Sequence, residues 1–298
     1  MCKKILAFVS LLLVLTLAAA CCLSASSEGN ILRVINAGRE LLFETENVTV
    51  SGHAEFTLDG ELFKAADILY QQDSTYSLWQ LGLITPRPGR EDKESGYTII
   101  ANGEKIYIME VIKPGLYSIA YDQPEKTLLR QSTASDLLLS MAAALADPIE
   151  GLLPEGAITE TQGDGGTELQ ITLTRDSVPG LLTPLLNYAA QFTLRRFMGI
   201  DTDYISDQYT GAFGDYLTTT QAIIGTTSSY LLGDTSVTLS LDESGRLADA
   251  RGTVDLILSA KHEPERTVTV TFNAAFTDYG TTYVRTFDPD TYGVAPAI

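Results

Sequence analysis

The feature that most constrains the fold is a strict alternation of apolar and polar side chains over residues 235–277. Successive side chains of a β-strand point to opposite faces, so this pattern predicts strands that are buried on one face and hydrated on the other. Turn-forming segments at 242–245 and 261–265 divide the pattern into three strands of an antiparallel meander with a Thr-rich solvent face. The side chains predicted to face inward are Val237, Leu239, Leu241, Val254, Leu256, Leu258, Val268, Val270, Phe272, Ala274 and Phe276.

A similar alternation nearer the start of the chain predicts a second meander. Apolar residues recur at even spacing from Val48 to Leu58, and the Asp59–Gly60 pair that follows is typical of a two-residue hairpin turn. Further strands are predicted at residues 63–70, 75–83, 97–101, 105–111 and 116–121, with a long exposed loop at 86–94. The two alternating regions are compatible with two halves of one curved sheet.

Three segments have the apolar spacing of helices. Residues 30–43 carry a single apolar stripe, which predicts an amphipathic helix at the start of the domain. Residues 135–147 and 183–199 are apolar on more than one side, so they are expected to lie against a sheet rather than in solvent. With a short strand predicted at 169–174, the pattern indicates an α+β protein with a single domain over residues 31–298.

The first residues have the composition of an export signal. Lys3 and Lys4 precede an apolar run from Ile5 to Ala20, which is shorter than the roughly 20 residues that a membrane-spanning helix needs. Residues 1–20 are therefore predicted to be a signal peptide that is removed on export.

The cysteine that follows this run is a candidate for lipidation. Cleavage before Cys21 would leave an amino-terminal thiol that can carry two acyl chains, and two chains anchor a protein stably to a membrane. The segment resembles a bacterial lipoprotein signal, with Ala18 where such signals usually have Leu. Residues 21–30 would then form a flexible tether. Simple cleavage after Ala25, which would give a secreted protein without a lipid, stays open as an alternative.

Composition excludes several functional classes. All three cysteines lie in the first 22 residues, so the folded domain has no disulfide, no thiolate metal site and no cysteine nucleophile. Without Lys3 and Lys4 the chain has 18 basic residues against 38 acidic ones, and its net charge of −20 disfavours nucleic acid as a partner. The sequence contains no G-x-S-x-G, H-E-x-x-H or G-x-x-x-x-G-K motif. The predicted protein is therefore not an enzyme and uses no cofactor.

The residues that could bind a metal are poorly spaced for it. His53 and His262 have no carboxylate at metal-ligand spacing and are predicted to be ordinary surface histidines. Four oxygen-bearing side chains gather within seven residues, namely Asp201, Asp203, Ser206 and Asp207. Their segment lacks the glycine and the distal glutamate of an EF-hand loop, so an acidic loop or a helix cap is the favoured interpretation, and no metal site is predicted.

Two segments of the second meander resemble a known family. Residues 235–254 (TSVTLSLDESGRLADARGTV) and 276–281 (FTDYGT) are similar to the closing strands of LolA/LppX-like lipoprotein carriers and of Gram-positive lipoproteins similar to them. The resemblance implies a curved antiparallel sheet, an incomplete barrel wrapped around helices, which encloses an apolar cavity for lipid or acyl chains. It extends over most of residues 31–285, and it brings neither a basic mouth for anionic headgroups nor a matched cargo-binding residue.

These observations favour a non-enzymatic, extracytoplasmic protein that is lipid-anchored to the cell membrane and binds a hydrophobic small molecule or a lipid. Burial alone could drive binding, because each methylene withdrawn from water contributes about 0.8 kcal/mol. The candidate pocket residues are Phe56, Leu186, Phe192, Leu239, Leu256, Val270 and Phe272. Three alternatives remain: the same side chains pack together and leave no cavity, the protein is a scaffold of the cell envelope that acts through its strand faces or edges, or it is a hydrolase that uses carboxylates.

Overall fold

The computed structural model describes residues 30–73, 75–86, 89, 91–102, 105–110, 116–120, 154–163, 165–177, 229–259, 264–284 and 288. These residues form one large sheet preceded by a short helix, α1 (Asn30–Arg39), which continues into a π-helical turn at Glu40–Glu44. The strands are β1 (Val48–Leu58), β2 (Glu61–Gln72), β3 (Tyr76–Thr85), β4 (Lys93–Asn102), β5 (Lys105–Glu110), β6 (Leu116–Ala120), β7 (Ile158–Gly163), β8 (Gly166–Leu173), β9 (Ser229–Leu241), β10 (Leu247–Ser259) and β11 (Arg266–Thr277). A 3₁₀ turn follows β8 at Arg175–Ser177.

Two antiparallel meanders make up this sheet. The strand order is β6-β5-β4-β3-β2-β1-β11-β10-β9-β8-β7, so the first meander, β1–β6, joins the second, β7–β11, where β1 pairs with β11. Because β6 and β7 lie at opposite edges, the described strands form an open sheet and not a closed barrel. The prediction that both alternating regions belong to one antiparallel sheet is confirmed.

The two faces of the sheet differ in polarity as the alternation predicts. All eleven side chains that were predicted to face inward in the second meander are buried. In β11, for example, Phe272 is 4% exposed, whereas its neighbours Thr271 and Asn273 are exposed. We call the face that carries the buried side chains of β1, β8, β9, β10 and β11 the inner face, and the opposite face the outer face.

The described elements differ from the predicted ones most clearly at three places. The hairpin strand β7 was not predicted, because five of its six residues are exposed and it shows no apolar alternation. The strand predicted from Thr235 begins six residues earlier, at Ser229, and Lys93 and Glu94 belong to β4 rather than to the predicted loop. The predicted signal peptide, the helices at 135–147 and 183–199 and the acidic cluster at 201–207 lie outside the described residues.

The helix α1 lies against the end of the inner face that β7, β8 and β10 form. Its apolar stripe is buried, with Val34 and Ile35 at most 5% exposed, which confirms the predicted amphipathic helix. Arg33 fixes its position, because the guanidinium donates to Glu160 Oε1 on β7 at 3.0 Å and to Thr167 Oγ1 on β8 at 2.8 Å. The apolar stripe and this polar anchor together orient the helix across the strands.

Asp59 links the two meanders beyond the β1–β11 ladder. The predicted Asp59–Gly60 turn is present, and both residues have the positive φ that such a turn requires, 53° and 86°. The Asp59 carboxylate accepts the backbone N–H of Thr267 and the Nε–H of Arg266, each at 2.8 Å. These two donors, the Thr267 amide first, lower the pKa of Asp59. The turn of the first meander is thus tied to the start of β11.

The D-Y-G segment after β11, on which the family resemblance partly rests, makes hydrogen bonds to both meanders. The Tyr279 hydroxyl donates to the Leu247 carbonyl at 2.6 Å, and the Arg246 guanidinium lies 4.7 Å from the centre of the Tyr279 ring. Burial raises the pKa of the Tyr279 phenol. The Gly280 amide, at a residue with φ of 73°, donates to the Asn47 carbonyl at 3.0 Å. The segment therefore joins the start of β10 to the residue before β1.

Candidate ligand-binding face

Five of the seven predicted pocket residues lie together on the inner face. They belong to strands β1, β9, β10 and β11, and all are buried: Phe56 (5% exposed), Leu239 (0%), Leu256 (4%), Val270 (1%) and Phe272 (4%). The other two, Leu186 and Phe192, and the predicted lipidation site Cys21 lie outside the described residues. The near-zero exposure of the five described residues means that protein atoms cover their side chains. A ligand on this face would therefore exchange with protein contacts.

The register at the junction of the two meanders places three of these residues in two adjacent rows of the inner face. Phe56 on β1 is directly opposite Val270 on β11, and Phe272 is opposite Ala54 on β1. Directly opposite residues of an antiparallel pair share a face and lie about 5 Å apart. The junction is therefore the centre of the apolar inner face.

A strip of small side chains crosses this centre. Ala66 on β2 is opposite Ala54 on β1. Gly52, two residues before Ala54, is opposite Ala274 on β11. Ala274 is in turn opposite Ala250 on β10. The four alanines are at most 5% exposed. Larger side chains border the strip, among them Phe272, which lies between Ala54 on β1 and Gly252 on β10. We call these residues the small-residue strip, and it comprises Ala66, Ala54, Gly52, Ala274, Ala250 and Gly252.

Two glycines of the strip are in places where no larger residue fits. A Cβ on Gly252 would lie 2.3 Å from the Ser236 carbonyl oxygen and 2.8 Å from the Val237 Cα. A Cβ on Gly52 would lie 2.5 Å from the Asn273 carbonyl oxygen. Real Cβ atoms essentially never approach backbone atoms so closely. At each glycine, the backbone of the neighbouring strand therefore occupies the space that a side chain would need.

A buried lysine adjoins the strip. Lys64 on β2 is directly opposite Phe56, which places its side chain on the inner face, and it is only 5% exposed. The pairing of β1 with β2 shifts by one residue between Phe56 and Thr57, so that Phe63 forms a β-bulge beside Lys64. Sequence reasoning missed this residue. The available signal was a lysine at an apolar position of the period-two pattern, two residues before Ala66.

The outer face carries hydrogen-bonded charged groups instead. The His53 imidazole on β1 lies 2.7 Å from Asp67 Oδ1 on β2, through Nδ1, and 3.6 Å from Glu55 Oε1, through Nε2. Arg251 on β10 pairs with Glu168 on β8 at 2.8 Å. The hydrogen bond to Asp67 is the main cause of a raised pKa for His53, and Glu55 adds to it, while partial burial opposes both. The His53–Asp67 pair links the neighbouring strands β1 and β2, and the Arg251–Glu168 pair spans β9 to link β10 with β8, both on the outer face.

We expect NMR titration to give the His53 imidazole a pKa above 6.5, and the Asp67→Asn variant to bring it back towards that value. A raised pKa in the folded state means that the pair stabilises the fold fully below the unfolded pKa, and that this stabilisation is lost as pH rises through the folded pKa. Because the pair is exposed, the stabilisation is below about 1 kcal/mol. An imidazole pKa that Asp67→Asn leaves unchanged would show that the pair is absent in solution.

Neither a metal centre nor a membrane span is found in the part of the chain that the structure describes. Within those residues no three His, Cys, Asp or Glu side chains are grouped so that they could hold an ion. Among the same residues no helix has the length and apolar character to cross a membrane.

Comparison with known proteins identifies no related protein. A scan against protein-family models finds no family that matches this chain, and a search of curated proteins finds no matching sequence. Function must therefore be argued from the geometry of the inner face.

Proposed function

We propose that this protein is a non-enzymatic, extracytoplasmic lipoprotein that binds a hydrophobic or lipid-like ligand against the inner face of its sheet. The observation that carries the proposal is the small-residue strip at the junction of the two meanders. A run of alanine and glycine is a shallow part of a sheet face, against which a larger apolar body in the covering layer packs, and in this proposal the ligand takes that position. An acyl chain has the cross-section and polarity to lie there.

The close approaches at Gly52 and Gly252 support a curved sheet. Glycine in a strand interior marks a tight bend or a close backbone approach, and glycine kinks are a device by which sheets coil toward one face. Both glycines are on the inner face, so the bend they permit is toward that face. A sheet curved in this way around the middle of the chain is the arrangement of the LolA/LppX-like carriers that the sequence resembles.

Burial supplies the binding energy in this proposal. An apolar tail transferred from water gains about 0.8 kcal/mol per methylene, less the cost of displacing the protein atoms that cover the strip. About ten methylenes beyond those needed to offset this cost give micromolar affinity without a specific polar contact.

The lipid anchor belongs to the same proposal. A diacylated Cys21 would hold the domain at the membrane surface, where apolar ligands are available. Labelling of the cells with radioactive palmitate should mark the protein, and the label should disappear in the Cys21→Ser variant and on treatment with globomycin. A wild-type protein without label would leave a secreted protein as the alternative.

Native mass spectrometry followed by organic extraction tests ligand binding. Protein purified without detergent, and again after incubation with a total lipid extract, should show a mass excess that extraction removes and that matches a lipid in the extract. A clean unliganded mass under both conditions would contradict the proposal.

A scaffold function is the second candidate, and the edge strand β7 favours it. Five of its six residues are exposed, and among the described strands it pairs only with β8. An exposed edge can accept an added strand from a partner through main-chain hydrogen bonds. Replacing Thr161 by proline would abolish such binding and leave lipid binding unchanged, since three strands separate β7 from β11 at the junction.

A further inference from the structure

We infer that the protein pairs with a second copy of itself through the edge strand β7, so that two sheets join into one across a twofold axis at Thr161. The pairing does not depend on the ligand site. It rests on the edge that favours the scaffold candidate, and it identifies the occupant of that edge. Five of the six residues of β7 are exposed.

The alternation of hydrogen bonds in the β7–β8 hairpin shows which main-chain groups face outward. The Thr172 amide donates to the Ala157 carbonyl at 2.8 Å, directly before β7 begins. In an antiparallel pair every second residue bonds to the partner strand, so the main-chain groups of Thr159 and Thr161 face β8. The residues whose main-chain groups face the open edge are Ile158, Glu160 and Gln162.

The main chain of β7 is accessible at this edge. Glu160 is exposed as a residue, although its side chain is paired with Arg33 at 3.0 Å and is only 24% exposed. Much of the exposed surface of Glu160 is therefore main chain. Natural edge strands resist strand addition by means of lysine, proline or a β-bulge, and β7 has none of these. It can thus accept another strand.

Self-pairing of β7 selects one register. Glu160 can lie opposite Ile158, Glu160 or Gln162 of the second copy, because these residues have the outward main-chain groups. Ile158 offers no side-chain hydrogen bond to the carboxylate, and a second Glu160 repels it. Gln162 carries an amide donor, which already reaches the Glu160 carboxylate within one copy at 2.6 Å. In the register with Gln162, Thr161 lies opposite itself on the twofold axis.

The symmetry of this pair suits two membrane-anchored copies. The twofold axis that relates antiparallel strands of one sheet is perpendicular to the sheet, so both inner faces lie on the same side. The helix α1 is on that side, where Arg33 donates to Glu160 on β7 and to Thr167 on β8. Both helices therefore begin close to the axis, and the predicted tethers before Asn30 leave from the same side of the dimer. Two lipid anchors can then enter one membrane.

Leu32 favours the same arrangement. It directly precedes Arg33 on α1 and is 39% exposed, one of the few large apolar side chains that are exposed among the described residues. Its position beside the Arg33 contact places it close to the twofold axis. An exposed leucine beside an open strand edge has an explanation if a second copy covers it.

The contact is expected to be weak and to depend on concentration. A strand of six residues gives a small interface, well below the size of a stable complex. Anchoring in a membrane raises the concentration of the copies relative to one another, as linking two binding modules does. The pair should therefore be most populated on the membrane and in concentrated solution.

Cysteine cross-linking tests both the pairing and its register. All native cysteines precede the domain, so Thr161→Cys in a Cys22→Ser parent puts one thiol in each folded domain, at the axis. Opposed residues of a non-hydrogen-bonded pair have Cα atoms about 4.5 Å apart, within disulfide range. Thr159→Cys is the matched control, exposed on the same strand. In this register Thr159 lies opposite Gly163, so the two Thr159 residues are about 14 Å apart.

Mild oxidation is applied to the concentrated purified protein and to membranes of the cells that express it. Thr161→Cys should give a disulfide-linked dimer with the mass of two copies, at a yield about tenfold or more above those of Thr159→Cys and the parent, because only its thiols meet the distance requirement. Non-reducing gels and mass spectrometry measure the yield and the mass.

Gln162→Pro tests whether the main chain makes the contact. The Gln162 N–H faces outward, and proline is tolerated in an edge strand where the N–H faces solvent, so the β7–β8 hairpin should persist. Combined with Thr161→Cys, Gln162→Pro should abolish the dimer. Gln162→Ala, which retains the N–H, should preserve it.

Several results would overturn self-pairing. They are the absence of a Thr161→Cys dimer in both preparations, equal yields from the two cysteines, and a dimer that survives Gln162→Pro. A cross-linked product with the mass of one copy and a different protein, in place of the dimer, would also overturn it and give the edge another partner. None of these results affects the ligand site, which native mass spectrometry tests separately.

Discussion

Replacing Gly252 by alanine is expected to lower the free energy of unfolding by about 3 kcal/mol, at the upper end of what overpacking costs. The added Cβ would lie 2.3 Å from the Ser236 carbonyl oxygen and 2.8 Å from the Val237 Cα, and both are backbone atoms that cannot rotate away. The strands β9 and β10 would have to separate, which breaks ladder hydrogen bonds. Urea denaturation followed by circular dichroism measures the loss.

Gly82→Ala is the matched control for this prediction. Gly82 is also a strand glycine, but its Cβ would meet nothing closer than the Asp67 Cβ at 3.6 Å, an ordinary van der Waals contact. Alanine restricts the unfolded chain more than glycine, so this variant should be neutral or stabilised by up to about 1 kcal/mol. Equal stabilities of the two variants would show that β9 and β10 do not approach closely at Gly252.

Phe272→Ala is expected to destabilise the protein by about 3–5 kcal/mol, the range for deleting a buried phenylalanine ring. Phe272 is 4% exposed at the junction, with Ala54 opposite on β1 and Gly252 opposite on β10. Neither of these small neighbours can fill the space that the ring leaves. Thermal and urea unfolding should both report the loss.

The neighbouring residue Asn273 is the control, because it points to the outer face and is exposed. Asn273→Ala should change stability by no more than about 0.5 kcal/mol. If Phe272→Ala costs below about 1 kcal/mol, the ring is not packed in the protein, and the assignment of the inner face as the buried face would be wrong.

The alternation of the sequence predicted most of the sheet because period two is a local property. Residues such as Val237 and Phe272 are buried wherever their strand is placed in the sheet, so their faces can be read without knowledge of the neighbours. The Asp59–Gly60 turn is local in the same way, since a two-residue hairpin needs positive φ at both positions. The strand β7 was not predicted, because an exposed edge strand has no apolar face and so shows no apolar alternation in the sequence.

The candidate site depends on features that sequence reasoning could not reach. The small-residue strip appears only when registers from four strands are combined, as for Gly52 opposite Ala274 and Ala274 opposite Ala250. The steric need for glycine at Gly252 arises from a strand some fifteen residues away in sequence. Lys64 reads as an ordinary surface lysine until its register with Phe56 places it on the buried face.

The central claim, that a hydrophobic ligand occupies the inner face, is tested most directly by photo-cross-linking with a fatty acid that carries a diazirine at the end of its tail. Irradiation of the complex, proteolysis and mass spectrometry then locate the attached carbon. The account predicts saturable labelling of β1, β10 and β11 at inner-face residues such as Ala54, Ala250 and Phe272, suppressed by excess unlabelled fatty acid. Labelling confined to outer-face residues such as Thr271 and Asn273, or labelling that does not saturate, would contradict it.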